Sequence, residues 1–330
     1  MKQLAIIGGG SWGTALAVVL APRFANVRLW VYEADLAERM AATRVNDVFL
    51  PGSTLPPNIQ PGSDLEAACV GADCILTVMP SHHVRRVTGA MANWVRSVIP
   101  VVSATKGIEN GTLLRMSEVL GQTLGNPQRF AVMSGPTFAA EVAKGDPAAL
   151  AISSINSELA TNLQAALSRP TFRLYTNDDP VGVEVGASLK NVIAIGAGMC
   201  QGLGLGNNSK AALITRGLAE MTRLAVAMGG SSKTLAGLAG LGDLVLTCTG
   251  ELSRNRKVGI ELAAGRPIGE ITRGMRMVAE GVQTTFAAMD LARKFQVTMP
   301  ITEQMESILL GVKPVKEALR ELMERSLKGE

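Results

Sequence analysis

The sequence predicts an α/β fold in which a doubly wound sheet of parallel strands is followed by an all-helical part. Short runs rich in Val, Ile and Leu alternate with helix-like segments over the first 180 residues. These runs lack polar alternation, as expected of strands that are covered on both faces. Beyond residue 180 the pattern is helical almost throughout. We therefore expect a sheet domain at 1–180 and a helical domain at 181–330.

The candidate elements follow in chain order. Strands are predicted at 4–7, 27–31, 74–79, 98–103, 130–134, 149–153 and 172–175, and between them lie helix-like segments such as 12–20 and 109–120. Asp179 and Pro180 are typical of an N-cap and a first helical residue. Helices are then predicted at 181–198, 209–228, 253–264, 282–296, 301–310 and 314–327. Gly265-Arg266-Pro267 and Met299-Pro300 separate neighbouring helices.

The positive charge of the chain is concentrated in one segment. The net charge is +4, and residues 253–276 hold six Lys and Arg residues against two Glu residues. A local excess of this size suits a small phosphorylated ligand better than nucleic acid, which usually requires a longer basic stripe. A solvated helix face is the alternative interpretation.

The four cysteines form no CxxC pair and show no metal-type spacing with His82 or His83. We therefore predict buried thiols in a reducing compartment and no metal site. The N-terminus begins directly with a strand-like run and has no signal-peptide layout. The apolar stretch at 192–205 is interrupted by glycines, so no membrane insertion is expected. Together these features predict a cytoplasmic protein.

The first strand leads into Gly8-Gly9-Gly10-Ser11-Trp12-Gly13, after which a helix begins. This GxGxxG motif has the strand–turn–helix setting of a dinucleotide site. Gly8 permits the tight turn, Gly10 lets the backbone approach a pyrophosphate, and Gly13 allows close packing of helix on strand. The first helical turn offers N–H donors to the phosphates. A merely tight turn is the alternative.

Tyr32 and Glu33 stand at the tip of the second strand. A carboxylate in this position accepts a hydrogen bond from the ribose 2′-hydroxyl of NAD and repels the 2′-phosphate of NADP. Glu33 therefore favours NAD, unless Asp35 or a basic neighbour such as Arg39 alters the choice. An exposed loop acid without a ligand is the alternative.

Polar segments follow the third, fourth and fifth strands at 80–82, 104–107 and 134–139. The carboxyl ends of strands are where open α/β sheets bind ligands. In the second segment Lys106 can reach an anion. In the third, Gly135 and Thr137 can present a backbone N–H and a hydroxyl.

Two ionisable residues of the helical part have apolar neighbours. Lys190 lies within an apolar helical pattern, where loss of hydration lowers the pKa of an ammonium toward the range useful for proton transfer. A lysine with only its stem covered is the alternative. Asp243 is a lone carboxylate among glycines and apolar residues, so we expect it to be paired or functional.

Ser253, Arg254 and Asn255 stand together at a predicted helix start. Their hydroxyl, guanidinium and amide are typical of a phosphate clamp. Ser253 as a simple N-cap is the alternative.

In these segments the chain resembles the bacterial NAD(P)-dependent glycerol-3-phosphate dehydrogenases, and the resemblance extends from residue 4 to about residue 311. The resemblance rests on ordered matches: GGGSWGTALA at 8–17, SATKG at 103–107, SGPTFAAE at 134–141, LKNVIAIGAGM at 189–199, ALITRGLAEM at 212–221, GLGDLVLTC at 240–248, SRNR at 253–256, VAEG at 278–281 and MPIT at 299–302.

The resemblance implies an N-terminal Rossmann domain, a helical C-terminal domain and an active site between them. There sn-glycerol 3-phosphate and dihydroxyacetone phosphate would be interconverted with NAD or NADP, which supplies glycerol phosphate for phospholipids. Lys190 would accept the proton. The substrate would bind to Lys106, Gly135, Thr137, Lys190, Asp243, Ser253, Arg254 and Asn255. The cofactor would touch Ser11, Trp12, Lys106, Ala139, Arg254, Val278 and Glu280.

The chain departs from this family at the tip of the second strand. Members often carry arginine or histidine there, and this chain has Tyr32-Glu33. The usual NADP preference is therefore left open. The expected partners are a small phosphorylated substrate and a second copy of the chain, with no nucleic acid.

Two other classes of protein remain as alternatives. A β-hydroxyacid or 6-phosphogluconate dehydrogenase would share the sheet, the helices and the helical lysine, but should lack Gly-Leu-Gly-Asp and Ser-Arg-Asn-Arg together. A non-enzymatic dinucleotide sensor that binds DNA would need a helix-turn-helix unit or an aromatic-laced basic stretch, and neither is found in the sequence.

Overall fold

The structure is a computed structural model that describes residues 1–275 and 279–326. Val278, expected to touch the cofactor, and Arg276, part of the basic segment, lie outside the described residues. The strands are β1 (Gln3–Ile7), β2 (Asn26–Trp30), β3 (Val45–Asn46), β4 (Leu50–Thr54), β5 (Ile59–Gly62), β6 (Cys74–Thr77), β7 (Val101–Ser103), β8 (Phe130–Ser134), β9 (Ala148–Ser153) and β10 (Phe172–Asn177).

Eight of the strands form one sheet in the order β10-β9-β8-β7-β6-β1-β2-β5, while β3 and β4 pair separately. The helices of this half are α1 (Ser11–Leu20), α2 (Ala34–Thr43), α3 (Leu65–Cys69), α4 (Val84–Met91), α5 (Met116–Leu124), α6 (Ala139–Lys144) and α7 (Ser157–Leu167). Alternate residues of β1 pack on opposite faces. Leu4 and Ile6 join the core formed with α1, α2, α6 and α7. Ala5 and Ile7 join the core formed with α3, α4 and α5. The predicted doubly wound sheet is confirmed.

The expectation of a wholly parallel sheet is wrong at one edge. Strand β9 runs antiparallel to β8, and β10 runs parallel to β9. Between β8 and β9 stands only α6, with 6 residues. A helix of this length rises about 9 Å, whereas a five-residue strand extends about 17 Å. The connection therefore lacks a helix long enough to return the chain to the start of β8.

The predicted helix at 109–120 is also wrong in its first half, because α5 begins at Met116. Gly111 and Leu113 have φ angles of +84° and +61°, which a helix does not allow. An isolated bridge joins Ile108 to Arg115 across this turn. Arg115 is the N-cap of α5, and its backbone N–H donates to Glu118 Oε2 over 2.8 Å.

The second half is helical. Its helices are α8 (Pro180–Gly202), α9 (Asn207–Ala227), α10 (Ser232–Leu235), α11 (Asp243–Thr249), α12 (Arg254–Ala263), α13 (Ile268–Arg273), α14 (Glu280–Lys294), α15 (Pro300–Leu309) and α16 (Val315–Met323). A π-helical segment, Leu238–Gly242, precedes α11. The six predicted helices are found with shifted ends. Helices α10, α11 and α13 were not predicted, and neither were strands β3, β4 and β5 in the first half.

Helix α8 is the centre of this half. Asp179 caps it by accepting from Gly182 N over 2.8 Å, and Pro180 is its first residue, as predicted. Among the described helices α8 alone has the length and apolar composition of a membrane span, and its apolar window is 100% buried inside the protein. It therefore serves here as the core helix on which α9, α11, α12 and α14 pack.

Helices α8 and α12 approach each other through glycines. A Cβ on Gly198 of α8 would lie 1.9 Å from the Arg256 carbonyl oxygen, and one on Gly259 of α12 would lie 1.9 Å from the Ile195 carbonyl oxygen. Only glycine permits this separation of the two backbones. The crossing fixes the N-terminus of α12 beside the middle of α8.

Candidate active site

A cavity of roughly 640 Å³ lies between the carboxyl ends of the central strands and the N-termini of α11, α12 and α14. It brings together most of the predicted site residues: Gly8, Gly10, Ser11, Trp12, Tyr32, Glu33, Lys106, Thr137, Ala139, Lys190, Asp243, Ser253, Arg254, Asn255 and Glu280. Gly13 and Gly135 are adjacent to this lining.

The glycine turn has the geometry predicted for a pyrophosphate site. Gly8 has a φ of +129°, and a Cβ there would lie 2.2 Å from the Val78 carbonyl oxygen. A Cβ on Gly13 would lie 1.8 Å from the Gly8 carbonyl oxygen, so α1 packs on β1 as expected. Gly10 caps α1 without a side-chain hydrogen bond, and a Cβ there would have nothing within 4 Å. The open N-terminus of α1 therefore fits a pyrophosphate.

Lys190 is buried in the middle of α8, with 5% of its surface exposed. Its ammonium forms an ion pair with Oδ1 of Asp243. Burial lowers the pKa of Lys190 to about 7; the charge of Asp243 opposes this shift, and that of Lys106 adds to it. The prediction of a buried lysine is confirmed, and the alternative of a lysine with only its stem covered is wrong.

Asp243 lies between two lysines. Its Oδ2 accepts from Lys106 Nζ over 2.8 Å and from Ser134 Oγ over 3.3 Å. Its Oδ1 accepts from Lys190 Nζ and, over 3.5 Å, from Thr247 Oγ1. Burial raises the pKa of Asp243, but the charges of the two lysines outweigh burial and hold the pKa below its usual value. The predicted pairing of this carboxylate is confirmed.

Lys106 follows β7 and connects the sheet to this carboxylate. Its Nζ also donates to the Gly135 carbonyl oxygen over 3.2 Å and to Thr137 Oγ1 over 3.4 Å. Thr137 Oγ1 donates in turn to the Gly135 carbonyl oxygen over 3.1 Å. Gly135 thus contributes its carbonyl group to this network. The two residues orient Lys106 toward Asp243.

The start of α12 combines helix capping with cavity lining. Ser253 Oγ accepts from Arg256 N over 3.2 Å, so the interpretation of Ser253 as an N-cap is confirmed. Asn255 donates to Asn191 Oδ1 over 3.0 Å and accepts from Gly281 N over 3.0 Å, which ties α12 to α8 and α14. Within residues 1–275 and 279–326 the second N–H of this amide has no protein acceptor, so it can donate to a ligand. Asn255 is therefore a positioning residue as well as a candidate clamp residue.

Arg254 and Glu280 line the cavity from the helical half, and Ser81 Oγ of the sheet half donates to Glu280 Oε2 over 2.9 Å. Burial raises the pKa of Glu280, while the hydrogen bond from Ser81 and the charges of His82 and Arg254 oppose the shift. Burial lowers the pKa of Arg254, and the charge of Glu280 opposes it. A guanidinium nevertheless stays charged in proteins. This part of the cavity therefore presents a cation to an anionic ligand.

Several residues of the site were not singled out in the sequence. They are Ser134, Asn191 and Thr247, which contact Asp243 or Asn255, and His83 and Arg86, which line the cavity beyond the glycine turn. Ser134, Asn191 and Thr247 lie inside the motif segments at 134–141, 189–199 and 240–248, and His83 directly follows the segment at 80–82, so these segments were the available signal. Arg86 carried no such signal.

Metal ligation has no candidate cluster in residues 1–275 and 279–326, where no group of three His, Cys, Asp or Glu side chains could hold an ion. The four cysteines are buried and free, as predicted. Burial raises the pKa of Cys69, Cys74 and Cys248 to about 12, so these thiols stay protonated near neutral pH.

A buried amine and a glycine turn that fits a pyrophosphate line the same cavity, an arrangement suited to combining proton transfer with a redox dinucleotide. The fold and the site therefore assign the chain to the dinucleotide-dependent dehydrogenases. Models of the N-terminus and the C-terminus of NAD-dependent glycerol-3-phosphate dehydrogenase match residues 3–160 and 179–320. The chain belongs to the NAD-dependent glycerol-3-phosphate dehydrogenase family.

Similar proteins of full length support this placement. A protein of Koribacter versatilis named glycerol-3-phosphate dehydrogenase (NAD(P)+) is 54% identical over 330 residues, with 98% of each chain covered. One of the same name from Geobacter sulfurreducens is 50% identical and covers 100% of this chain and 99% of its own. The crystal structure of glycerol-3-phosphate dehydrogenase from Coxiella burnetii has a TM-score of 0.94 and 42% identity, covering 98% and 99%. This chain is thus an NAD(P)-dependent oxidoreductase.

Proposed function

We propose that this enzyme interconverts sn-glycerol 3-phosphate and dihydroxyacetone phosphate, with Lys190 as the proton acceptor. The observation that supports this most strongly is the buried ion pair of Lys190 with Asp243 on the wall of the cavity that begins at the glycine turn. A bound nicotinamide supplies the hydride exchange with C2 of the substrate. The residues of the chain bind and orient the substrate and move one proton.

Lys190 performs the proton transfer in both directions. In its neutral form the amine takes the proton of the 2-hydroxyl group during oxidation, and in its charged form it returns that proton during reduction. With a pKa of about 7, both forms are populated near neutral pH. A general base is most effective when its pKa lies near the working pH.

Asp243 and Lys106 support this step electrostatically. Asp243 fixes the position of Lys190 Nζ and keeps the amine from losing its proton too readily. Lys106 opposes that effect, and its ammonium adds positive charge near the reacting oxygen. Ser134 donates a further hydrogen bond to the carboxylate, while Thr247 donates mainly to the backbone carbonyl oxygen of Asp243, over 2.6 Å.

The substrate phosphate is assigned to the N-terminus of α12. Arg254 offers a planar fork of donors that matches a phosphate, and the unpaired N–H groups of a helix start add partial positive charge. Asn255 contributes its remaining N–H. The alternative of a solvated basic face is disfavoured for Arg254, which is partly buried on the cavity wall.

Cofactor binding is assigned to the glycine turn, with Ala139, Lys106, Arg254 and Glu280 closer to the substrate and Tyr32 and Glu33 at the far end. Glu33 favours NAD, because its carboxylate lies where a 2′-phosphate would be placed. The proposal also includes a domain boundary near residue 180, a homodimer, a cytoplasmic location and a role in phospholipid synthesis.

The test of this function is the Lys190→Met variant, which keeps the apolar stem and deletes the amine. Placed acid–base groups contribute about 10²–10⁴-fold, so turnover of dihydroxyacetone phosphate should fall by at least about a hundredfold while dinucleotide binding survives. Lys233→Met, on the exposed side of α10, is the matched control. A folded Lys190→Met enzyme within about tenfold of the parent turnover would contradict the assignment. If only a Lys106 variant loses the basic limb of the pH profile, the role passes to Lys106.

A further inference from the structure

The cavity extends past the glycine turn to the tip of β2. There Tyr32 and Glu33 form one wall, and His83, Arg86 and Val87 form the other. The second wall belongs to the segment that follows β6 and to the first turn of α4. Because the ribose 2′-oxygen of a dinucleotide lies beside the acidic residue at the end of the second strand, both walls flank that oxygen.

Three arginines near this region differ in what they contact. Arg39 pairs with Asp35 over 2.8 Å and with Asp47 over 3.4 Å, and it does not line the cavity. Arg85 pairs with both carboxylate oxygens of Glu109, over 2.9 and 2.7 Å.

Arg86 is different from these two arginines. It lines the cavity, and no carboxylate within the described part of the chain lies within ion-pair distance of it. Its Cζ is 5.4 Å from the centroid of the Tyr32 ring. The guanidinium therefore extends across the opening to the residue that precedes Glu33.

We propose that Arg86 binds the 2′-phosphate of NADP and so offsets the repulsion from Glu33, which allows one site to accept both cofactors. A guanidinium resting on an aromatic face keeps its N–H edges available, and its planar fork matches a phosphate. With NAD, Glu33 accepts from the 2′-hydroxyl and Arg86 stays on Tyr32. With NADP, the negatively charged 2′-phosphate forms an ion pair with Arg86.

The neighbouring histidine does not supply this charge. Burial lowers the pKa of His83, and the charges of His82 and Arg86 lower it further. His83 is therefore mostly neutral near pH 7, whereas an arginine is always charged. At this end of the cavity the lasting positive charge among the described lining residues comes from Arg86.

The experiment compares two fragments that differ only in the 2′-phosphate: adenosine 2′,5′-bisphosphate and adenosine 5′-phosphate. Their dissociation constants are measured by calorimetry on the full-length protein, without turnover, so the result does not depend on the role of Lys190. In Arg86→Gln the affinity for the bisphosphate should fall about tenfold, because a charge-assisted hydrogen bond to an exposed anion is lost. Affinity for the monophosphate should change by less than about twofold.

Matched variants separate this role from others. Arg39→Gln removes a neighbouring exposed arginine and should change neither affinity. Glu33→Ser removes the repulsive carboxylate and should strengthen binding of the bisphosphate.

The proposal is overturned if Arg86→Gln weakens the binding of both fragments equally, since Arg86 would then contact only the adenosine part that the two fragments share. It is also overturned if Arg86→Gln leaves the affinity for the bisphosphate unchanged, or if the selective loss of bisphosphate binding appears in Arg39→Gln instead. A Glu33→Ser variant with an unchanged ratio of the two affinities would overturn it as well.

Discussion

At the scale of single residues, the phosphate end of the cavity depends on the shape of one side chain as well as on its charge. Arg254→Lys keeps the charge but loses the planar fork, so the efficiency for the phosphorylated substrate should still fall. Arg254→Ala should lower it by roughly ten- to a hundredfold, because a charge-assisted hydrogen bond contributes about 1.5–3 kcal/mol.

The measurement is steady-state kinetics with dihydroxyacetone phosphate. Lys257→Ala is the control, because Lys257 is an exposed cation on the same helix. An Arg254→Ala enzyme with an unchanged Michaelis constant for the substrate would place the phosphate elsewhere.

Residues whose environment is set by local sequence were predictable. The apolar helical pattern around Lys190 indicated burial, and burial fixed the direction of its pKa shift. The glycine turn was likewise predictable, because a Cβ on Gly8 or Gly13 would clash with the neighbouring backbone. Arg86 was not, since its distinction from Arg39 depends on which side chains have acidic partners in the folded protein.

At the scale of elements, the crossing of α8 and α12 determines where the phosphate site lies. Gly198→Ala would place a methyl group 1.9 Å from the Arg256 carbonyl oxygen. The helices must then separate, which should lower the free energy of unfolding by about 1–3 kcal/mol. The shift would also move the start of α12 and raise the Michaelis constant for the phosphorylated substrate.

Gly121→Ala in α5 is the control for this helical substitution. A Cβ on Gly121 meets nothing within 4 Å, so the exchange should stabilise the protein by about 0.5–1 kcal/mol through helix propensity. Both variants are compared by chemical denaturation. Equal stability of Gly198→Ala and the parent would show that the crossing is not constrained by this glycine.

Long elements with one strong pattern were predictable from the sequence, as α8 and α14 illustrate. The direction of β9 was not, because the same apolar run fits a parallel or an antiparallel strand. Strand β10 did carry a signal, since its exposed Arg173 and Tyr175 alternate with buried Phe172 and Leu174. Such alternation is typical of a strand with one exposed face. The predicted helix over residues 109–115 contains the pair Asn110-Gly111, which is typical of a turn and so argued against a helix there.

At the scale of the whole molecule, the site is assembled from both halves of the chain. Lys106 and Asp243 are 137 residues apart, and Ser81 and Glu280 are 199 apart. Arg115 and Glu184 add an ion pair between the halves, 2.7 Å long and almost fully buried on the side of Glu184. Motifs indicated which residues matter, but no local pattern determines that two lysines share one carboxylate. That fact follows only from how the halves pack.

This shared carboxylate leads to a prediction about pH. Oxidation of glycerol 3-phosphate requires neutral Lys190, so kcat/KM should rise with pH through the pKa of about 7. The charge of Lys106 lowers the pKa of Lys190, and Lys106→Met should therefore move the rising limb to higher pH. The charge of Asp243 raises that pKa, and Asp243→Asn should move the limb to lower pH.

Both substitutions will also reduce the rate, because each removes a residue of the site. Each pH profile of kcat/KM is therefore normalised to its own maximum, and the variants are compared by the pH at the midpoint of the rising limb. In the direction of reduction the charged form of Lys190 is required, and the falling limb should move the same way as the rising one. Lys233→Met, which changes a distant exposed charge, should leave the limb in place. A structural role for the two residues would lower the rate without displacing the limb. Shifts of both variants in the same direction would mean that the titrating group is not Lys190, because removal of a nearby cation raises the pKa of an amine and removal of a nearby anion lowers it.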